Sequence, residues 1–150
     1  MSSFFYNNLH DHKYELSQDY CLSISIFPKT DIKTLHINLE TTGQLKIKKG
    51  WIWDGPSAPA IDTVDFMRGS LVHDALYKLI RDGHLKKTAR KKADRILQRL
   101  CIEDGMSRIR AFWVYYGLRL FGGYAVKSVK GVKGVKTVKA VKAVKAFKKA

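Results

Sequence analysis

Residues 65–105 read DFMRGSLVHDALYKLIRDGHLKKTARKKADRILQRLCIEDG, and this stretch decides the fold. Phe66, Leu76 and Ile80 recur near helical spacing with His73 on the same stripe, which predicts a first helix from about Asp65 to Arg81. Asp82-Gly83 closes it. A second helix is expected from about Lys86 to Glu103, with Ala89, Ala93, Ile96, Leu97 and Leu100 inward and Gly105 ending it. His73 stands ten residues before Gly83 and Asp94 eleven after it. At a rise of about 1.5 Å per residue, those are about 15 and 16 Å along two antiparallel helices. The two side chains therefore fall at one height and can face each other.

Outward from this hairpin the pattern changes. Downstream, Ala111, Phe112, Tyr115 and Leu118 are the expected inner side of a third helix from about Ser107 to Phe121, which Gly122-Gly123 ends. Upstream, Tyr20, Leu22, Ile24 and Ile26 alternate with small or polar residues, as do Leu35, Ile37, Leu39 and then Leu45 and Ile47. Period two means half-buried strands, and Pro28 to Asp31 and Thr41 to Gly43 are the turns. A fourth short strand is expected at Trp51 to Trp53. Residues 54–62, DGPSAPAID, form a loop, because Gly55, Pro56 and Pro59 break regular structure. The fold class is α+β: a small antiparallel meander (13–53), a loop (54–62) and three helices (63–124), all in one domain spanning 1–125.

The chain has 150 residues, of which 45% are apolar, enough for one core. Cys21 and Cys101 make at most one bridge, so a disulfide-dense miniprotein is excluded, and Cys101, on the apolar side of its helix, reads as a buried free thiol. No apolar run approaches the roughly 18 residues that span a bilayer. Met1 to Leu9 has neither the basic flank nor the apolar length of a secretion signal. Trp51 and Trp53 read as core packing against the first helix, with an interfacial aromatic pair as the alternative. His10 and His12 read as part of a polar terminus rather than a metal site.

The formal net charge is +15, and nine of those charges come from Lys127 onward, leaving +6 for residues 1–126. Residues 126–150 repeat Val-Lys-x, carrying Lys127, Lys130, Lys133, Lys136, Lys139, Lys142, Lys145, Lys148 and Lys149 without an acid. A period of three fits neither helix nor strand, so a disordered basic tail is expected. A polyanion is its natural partner, either nucleic acid or an anionic membrane surface.

Asp54, His73, Asp74 and Asp94 are the constellation that can carry chemistry. An imidazole oriented by a carboxylate is a general base. Asp74 points about 100° away from His73, toward the Asp54 loop, and two carboxylates with loop carbonyls suit calcium. The plainer alternatives are a core histidine, a solvated Asp94 among Lys91, Lys92 and Arg95, and an ordinary turn at Asp54-Gly55-Pro56.

The order Asp54-Gly55-Pro56-Ser57, then His73-Asp74-Ala75-Leu76-Tyr77, then Arg90 to Asp94, then Tyr115-Tyr116 to Gly122 resembles the phospholipase A2 superfamily. The likeness is to its bacterial and fungal secreted branch and to the phospholipase domain of parvovirus capsid proteins. Over most of residues 44–122 the chain also resembles a phage-borne domain family of unknown function that carries WDG-x-S and VHDALY. The resemblance implies a calcium-dependent lipid esterase of a phage or virus, located in the virion or host cell, that hydrolyses a phospholipid acyl ester. His73 would deprotonate the attacking water, Asp94 would fix its tautomer, and Tyr77 or Tyr115 would hold Asp94. Asp74, Asp54 and the Gly55 carbonyl would bind calcium. The loop departs from that superfamily in carrying two prolines and no cysteine. The competing reading is a non-enzymatic virion or nucleic-acid-binding protein with a degenerate scaffold and a lysine-rich tail. A metal phosphohydrolase of the HD type ranks last, since His10, His12 and His36 sit in a terminus or strand.

Overall fold

The computed structural model describes residues 4–9, 13–55 and 63–121. The expected tail at 126–150, most of the 54–62 loop, and His10 and His12 lie outside the described residues. An antiparallel β region is followed by three α-helices.

The β region forms two small sheets. In the first, β1 (Tyr6–Asn8) pairs with β2 (Tyr14–Leu16), and β2 pairs with β7 (Ile52–Trp53) in the register Tyr14 to Trp53. The second runs in the order β3 (Tyr20–Ser23), β6 (Gln44–Ile47), β5 (Ile37–Leu39), β4 (Ile32–Lys33). The strands β4, β5 and β6 do follow one another as a meander, but β3 pairs on the far side of β6 and closes the sheet. Tyr20 opposite Ile47, and Leu39 opposite Leu45, set the register. Tyr20, Ile37, Leu39, Leu45 and Ile47 are almost wholly buried on one face, which is the period-two pattern made physical. The short strands β1 and β4 have too few alternating residues to register as a pattern. Leu35, expected inside a strand, is exposed in the turn before β5.

The helices are α1 (Val64–Arg81), α2 (Arg90–Glu103) and α3 (Arg108–Phe121), with one turn of 3-10 helix at Lys87–Ala89 before α2. Gly83, at φ 82°, makes the reversal between α1 and α2. Helix α1 is buried nearly all round, from Phe66 through Ile80. It packs on the inner faces of the sheets through Leu71, Ala75 and Leu79, and on α2 and α3 through a smaller cluster of Phe66, Leu97, Cys101, Met106 and Ala111. A helix with apolar residues on several faces is a central one. Gly69 allows the closest approach: a Cβ there would lie 3.0 Å from Cys101 Sγ. Trp53 is buried, and its indole N–H donates to Ser70 Oγ of α1 at 3.1 Å, joining sheet to helix. Arg68 of α1 ties the end of α2, donating to Asp104 and Glu103 at 2.9 and 3.0 Å. Phe112 was expected on the inner side of α3 but is exposed, because Ala111, Val114 and Leu118 make the contact with α1 and α2.

Candidate active site

The hairpin α1–α2 places His73 and Asp94 opposite each other, at the height their spacing from Gly83 dictates. His73 Nε2 lies 3.0 Å from Asp94 Oδ1. Asp94 is completely buried, and His73 is 6% exposed. Burial of a carboxylate is tolerated only when its lone pairs are filled, and here they are. The Tyr77 hydroxyl, one helical turn beyond His73, donates to the same Oδ1 at 2.6 Å. Arg119 of α3 donates to Oδ2 at 3.0 Å. Arg90, one turn before Asp94 on α2, holds its Nε 3.9 Å from Oδ2. Its Nη2 donates to the Leu118 and Arg119 carbonyls at 3.2 and 2.8 Å, anchoring the last turn of α3.

This arrangement sets the protonation states. Burial alone would push the Asp94 carboxyl up, but the donors His73, Tyr77 and Arg119 hold it below the usual carboxylate range. An ionised Asp94 accepts only, so His73 presents Nε2–H to it, and the neutral form of the ring carries its lone pair on Nδ1. Burial disfavours the charged imidazole, yet the negative charge of Asp74 and the hydrogen bond and charge of Asp94 outweigh it and raise the His73 pKa. The Tyr77 phenol is pushed up by burial and by Asp94.

Nδ1 of His73 lies 3.8 Å from Asp74 Oδ1, too long for a direct hydrogen bond. Asp74 is about one-third exposed and has no Lys or Arg partner among the described residues. The Tyr77 ring packs against the imidazole at a centroid distance of 4.0 Å, tilted by 35°. The structure thus brings together His73, Asp74, Tyr77 and Asp94. Asp54 is exposed just beyond β7, and among the described residues it makes no hydrogen bond or ion pair with that group. Gly55 is buried at φ 66°, where a Cβ would strike the Tyr14 ring. Tyr115 makes a ring contact with Tyr116 and leaves Asp94 to Tyr77 and Arg119. Asp54, Gly55 and Asp74 are oxygen donors of the type calcium takes. Among the described residues, no three His, Cys, Asp or Glu side chains gather as a metal cluster.

From the sequence Arg90 reads as one of the basic, solvated residues of the second helix, and neither it nor Arg119 is given a part in the site. The signal for Arg90 was its i, i+4 spacing from Asp94, which puts both on one face of α2. Arg119 reaches Asp94 from a separate helix, and nothing in a single sequence announces that crossing.

Residues 32–118 match DUF1353, a family described as protein of unknown function, and the chain belongs to that family. No curated protein and no solved structure matches the chain. The resemblance to the phospholipase A2 superfamily is therefore corrected: the family found is DUF1353, and nothing links it to those enzymes. The motif order that suggested it encodes a His–Asp pair across two antiparallel helices. That is a local geometry that unrelated chains can reach.

Proposed function

We propose that this member of DUF1353 is a hydrolase of carboxylic esters in which His73 is the general base. The observation that carries the reading is Asp94, fully buried, with both oxygens occupied and Nε2 of His73 held at 3.0 Å. That contact leaves Nδ1 as the ring nitrogen able to take a proton.

In the reaction, Nδ1 of His73 removes a proton from water as its oxygen adds to the ester carbonyl carbon. Asp94 stabilises the imidazolium so formed. The carbon–oxygen bond to the alcohol then breaks, and the imidazolium returns its proton to the leaving oxygen. A carboxylic acid and an alcohol result, with His73 restored. Tyr77 stays against the ring throughout, and Tyr77 and Arg119 keep Asp94 ionised.

Calcium belongs to the same proposal, with Asp74 and the Gly55 carbonyl as its ligands and Asp54 as a second carboxylate. Bound there, the ion would polarise the ester carbonyl. The donor types are those calcium takes, and backbone oxygens or water would have to supply the rest of its shell, since side chains alone do not gather as a cluster among the described residues.

The test is hydrolysis of a panel of soluble esters and of phospholipid vesicles, with calcium and with chelator. Replacing His73 by Ala or Gln should lower turnover by about 10²–10⁴-fold while the chain stays folded. Turnover unchanged in these variants, or no turnover of any ester by the wild type, overturns the proposal.

A further inference from the structure

The outer face of α3 is unlike a solvated helix surface. Ile109, Phe112, Trp113, Tyr116 and Leu120 recur at i, i+3, i+4, i+7 and i+11, so they share one arc of about 100°. All five are exposed, Ile109 at 75%, Trp113 at 68% and Leu120 at 72%. Aromatic contacts order the patch from within: the Phe112 ring sits 4.4 Å from Tyr116 and 5.8 Å from Trp113. The inner side of the same helix is satisfied by Ala111, Val114 and Leu118, so the outer stripe is not needed for folding. A contiguous exposed apolar patch of this kind marks an interaction surface.

The charge around the stripe selects the partner. Along the border facing α2, Phe112, Tyr116 and Leu120 line a cleft with Lys91, Arg95 and Arg119. Helix α3 contains no acid, and from Gly105 to Ala150 the sequence has none, while it carries three arginines and nine lysines. An apolar stripe with Trp and Tyr at its centre and cations at its margin matches the anionic face of a bilayer. Aromatic side chains sit at the headgroup level there, and basic groups meet lipid phosphates. We propose that the outer face of α3 docks this protein on an anionic lipid surface. The helix lies in the membrane plane, and the lysines that follow it in sequence add to the attraction. No helix of the described residues is long and apolar enough to cross a membrane. The docking does not depend on the ester-hydrolase reading. It adds to that reading, because Arg119, which bonds Asp94, stands on the docking helix.

The test uses the full chain and two vesicle preparations, phosphatidylcholine alone and phosphatidylcholine mixed with phosphatidylglycerol, at physiological and at high salt. The wild type should float with the anionic vesicles, keep part of that binding at high salt, and show blue-shifted tryptophan emission. The double substitution Trp113→Ser with Leu120→Ser should weaken binding by about 10-fold or more and abolish the salt-resistant part, with an unchanged melting temperature. Equal binding by the variant overturns the proposal and leaves the lysines as the lipid contact. A wild-type dimer that the double substitution dissociates also overturns it, since the stripe is then a self-interface. So does an equal loss of single-stranded DNA binding, which would make the aromatic residues a base-stacking platform. A His73→Ala chain that floats normally but hydrolyses nothing separates docking from turnover, and failure of the hydrolase reading leaves the docking result standing.

Discussion

Replacing Asp94 by Asn tests the heart of the site, because the two side chains have the same shape and differ in what they offer. Asp94 accepts through Oδ1 from Tyr77 and His73 and through Oδ2 from Arg119. Asparagine has one carbonyl oxygen and one NH2 group. With its oxygen toward His73, the NH2 meets the Arg119 guanidinium, donor against donor. With its oxygen toward Arg119, the NH2 faces Nε2 of His73 and the Tyr77 hydroxyl. The second arrangement is satisfiable, since the hydroxyl can turn to accept and the imidazole can move its proton to Nδ1. It is therefore the one adopted, and it removes the lone pair that the proposed base uses. The cost to stability is the loss of charge-assisted hydrogen bonds, about 1–3 kcal/mol, or roughly 3–10 °C in melting temperature. The loss of turnover should be far larger, about 10²–10⁴-fold. Nitrogen NMR of the His73 ring reads the tautomer directly, with Nε2–H in the wild type and Nδ1–H in the variant. A pH series gives an independent check. A carboxyl whose folded pKa is depressed contributes stability above its unfolded value, near 3.9. It loses that contribution as pH falls through the folded value. The acid limb of the stability curve should therefore flatten in Asp94→Asn. Wild-type turnover in the variant, or an unchanged tautomer, refutes the reasoning.

The two thiols should separate by reactivity. Cys101 is fully buried with its thiol pushed up to about 12 by burial and the nearby Asp104 and Asp65, while Cys21 is exposed, so a disulfide reagent at mildly alkaline pH should modify Cys21 alone until denaturant is added. Native modification of both sites would mean that α1 and α2 open readily around Gly69. Calcium at 100 times its dissociation constant should raise stability by about 2.7 kcal/mol, and Asp74→Asn should abolish that gain. A melting curve indifferent to millimolar calcium removes the metal from the proposal. A chain ending at Tyr124 should keep its fold and lose most of its affinity for duplex DNA. The full chain should show a log–log salt slope of about −0.9 for each phosphate its lysines neutralise. If the shortened chain binds as tightly, the basic residues Lys91, Lys92, Arg95 and Arg99 of α2 are the contact surface.

What could be read in advance follows the range of the interactions. The helices and their lengths were legible because periodicity and the glycines at 83 and 105 act within a few residues. The height match of His73 and Asp94 was legible because a single turn separates their helices. The inner face of the second sheet was legible for the same local reason, Tyr20 to Ile47 being simple alternation. Strand β3 beside β6, and Arg119 against Asp94, were not. Both are decided by contacts more than twenty residues apart, where closure of the chain rather than local pattern selects the neighbour. Phe112 was misplaced because an aromatic residue one position from Ala111 looks like core, and only the crossing of α3 over α1 and α2 shows that small Ala111 takes the inner position.

The network around Asp94 also bears on why such a site exists in this core. Taking a carboxylate fully out of water carries a penalty of several kcal/mol, and buried ion pairs often return no more than well-packed apolar residues of the same volume. Leucines at 73, 77 and 94 would close the gap between α1 and α2 about as well, as buried Leu76, Leu97 and Leu100 do nearby. Three donors from two helices, His73 and Tyr77 of α1 and Arg119 of α3, instead converge on one carboxylate of α2, with the Arg90 guanidinium close by. The imidazole alone has a second nitrogen, and that nitrogen faces the partly exposed Asp74 rather than the core. A purely structural carboxylate would be served by Tyr77, Arg90 and Arg119 without a titrating ring between it and the surface. The excess of order around His73, set against its one unheld nitrogen, is the physical reason to look for proton transfer at this position before any other in the molecule.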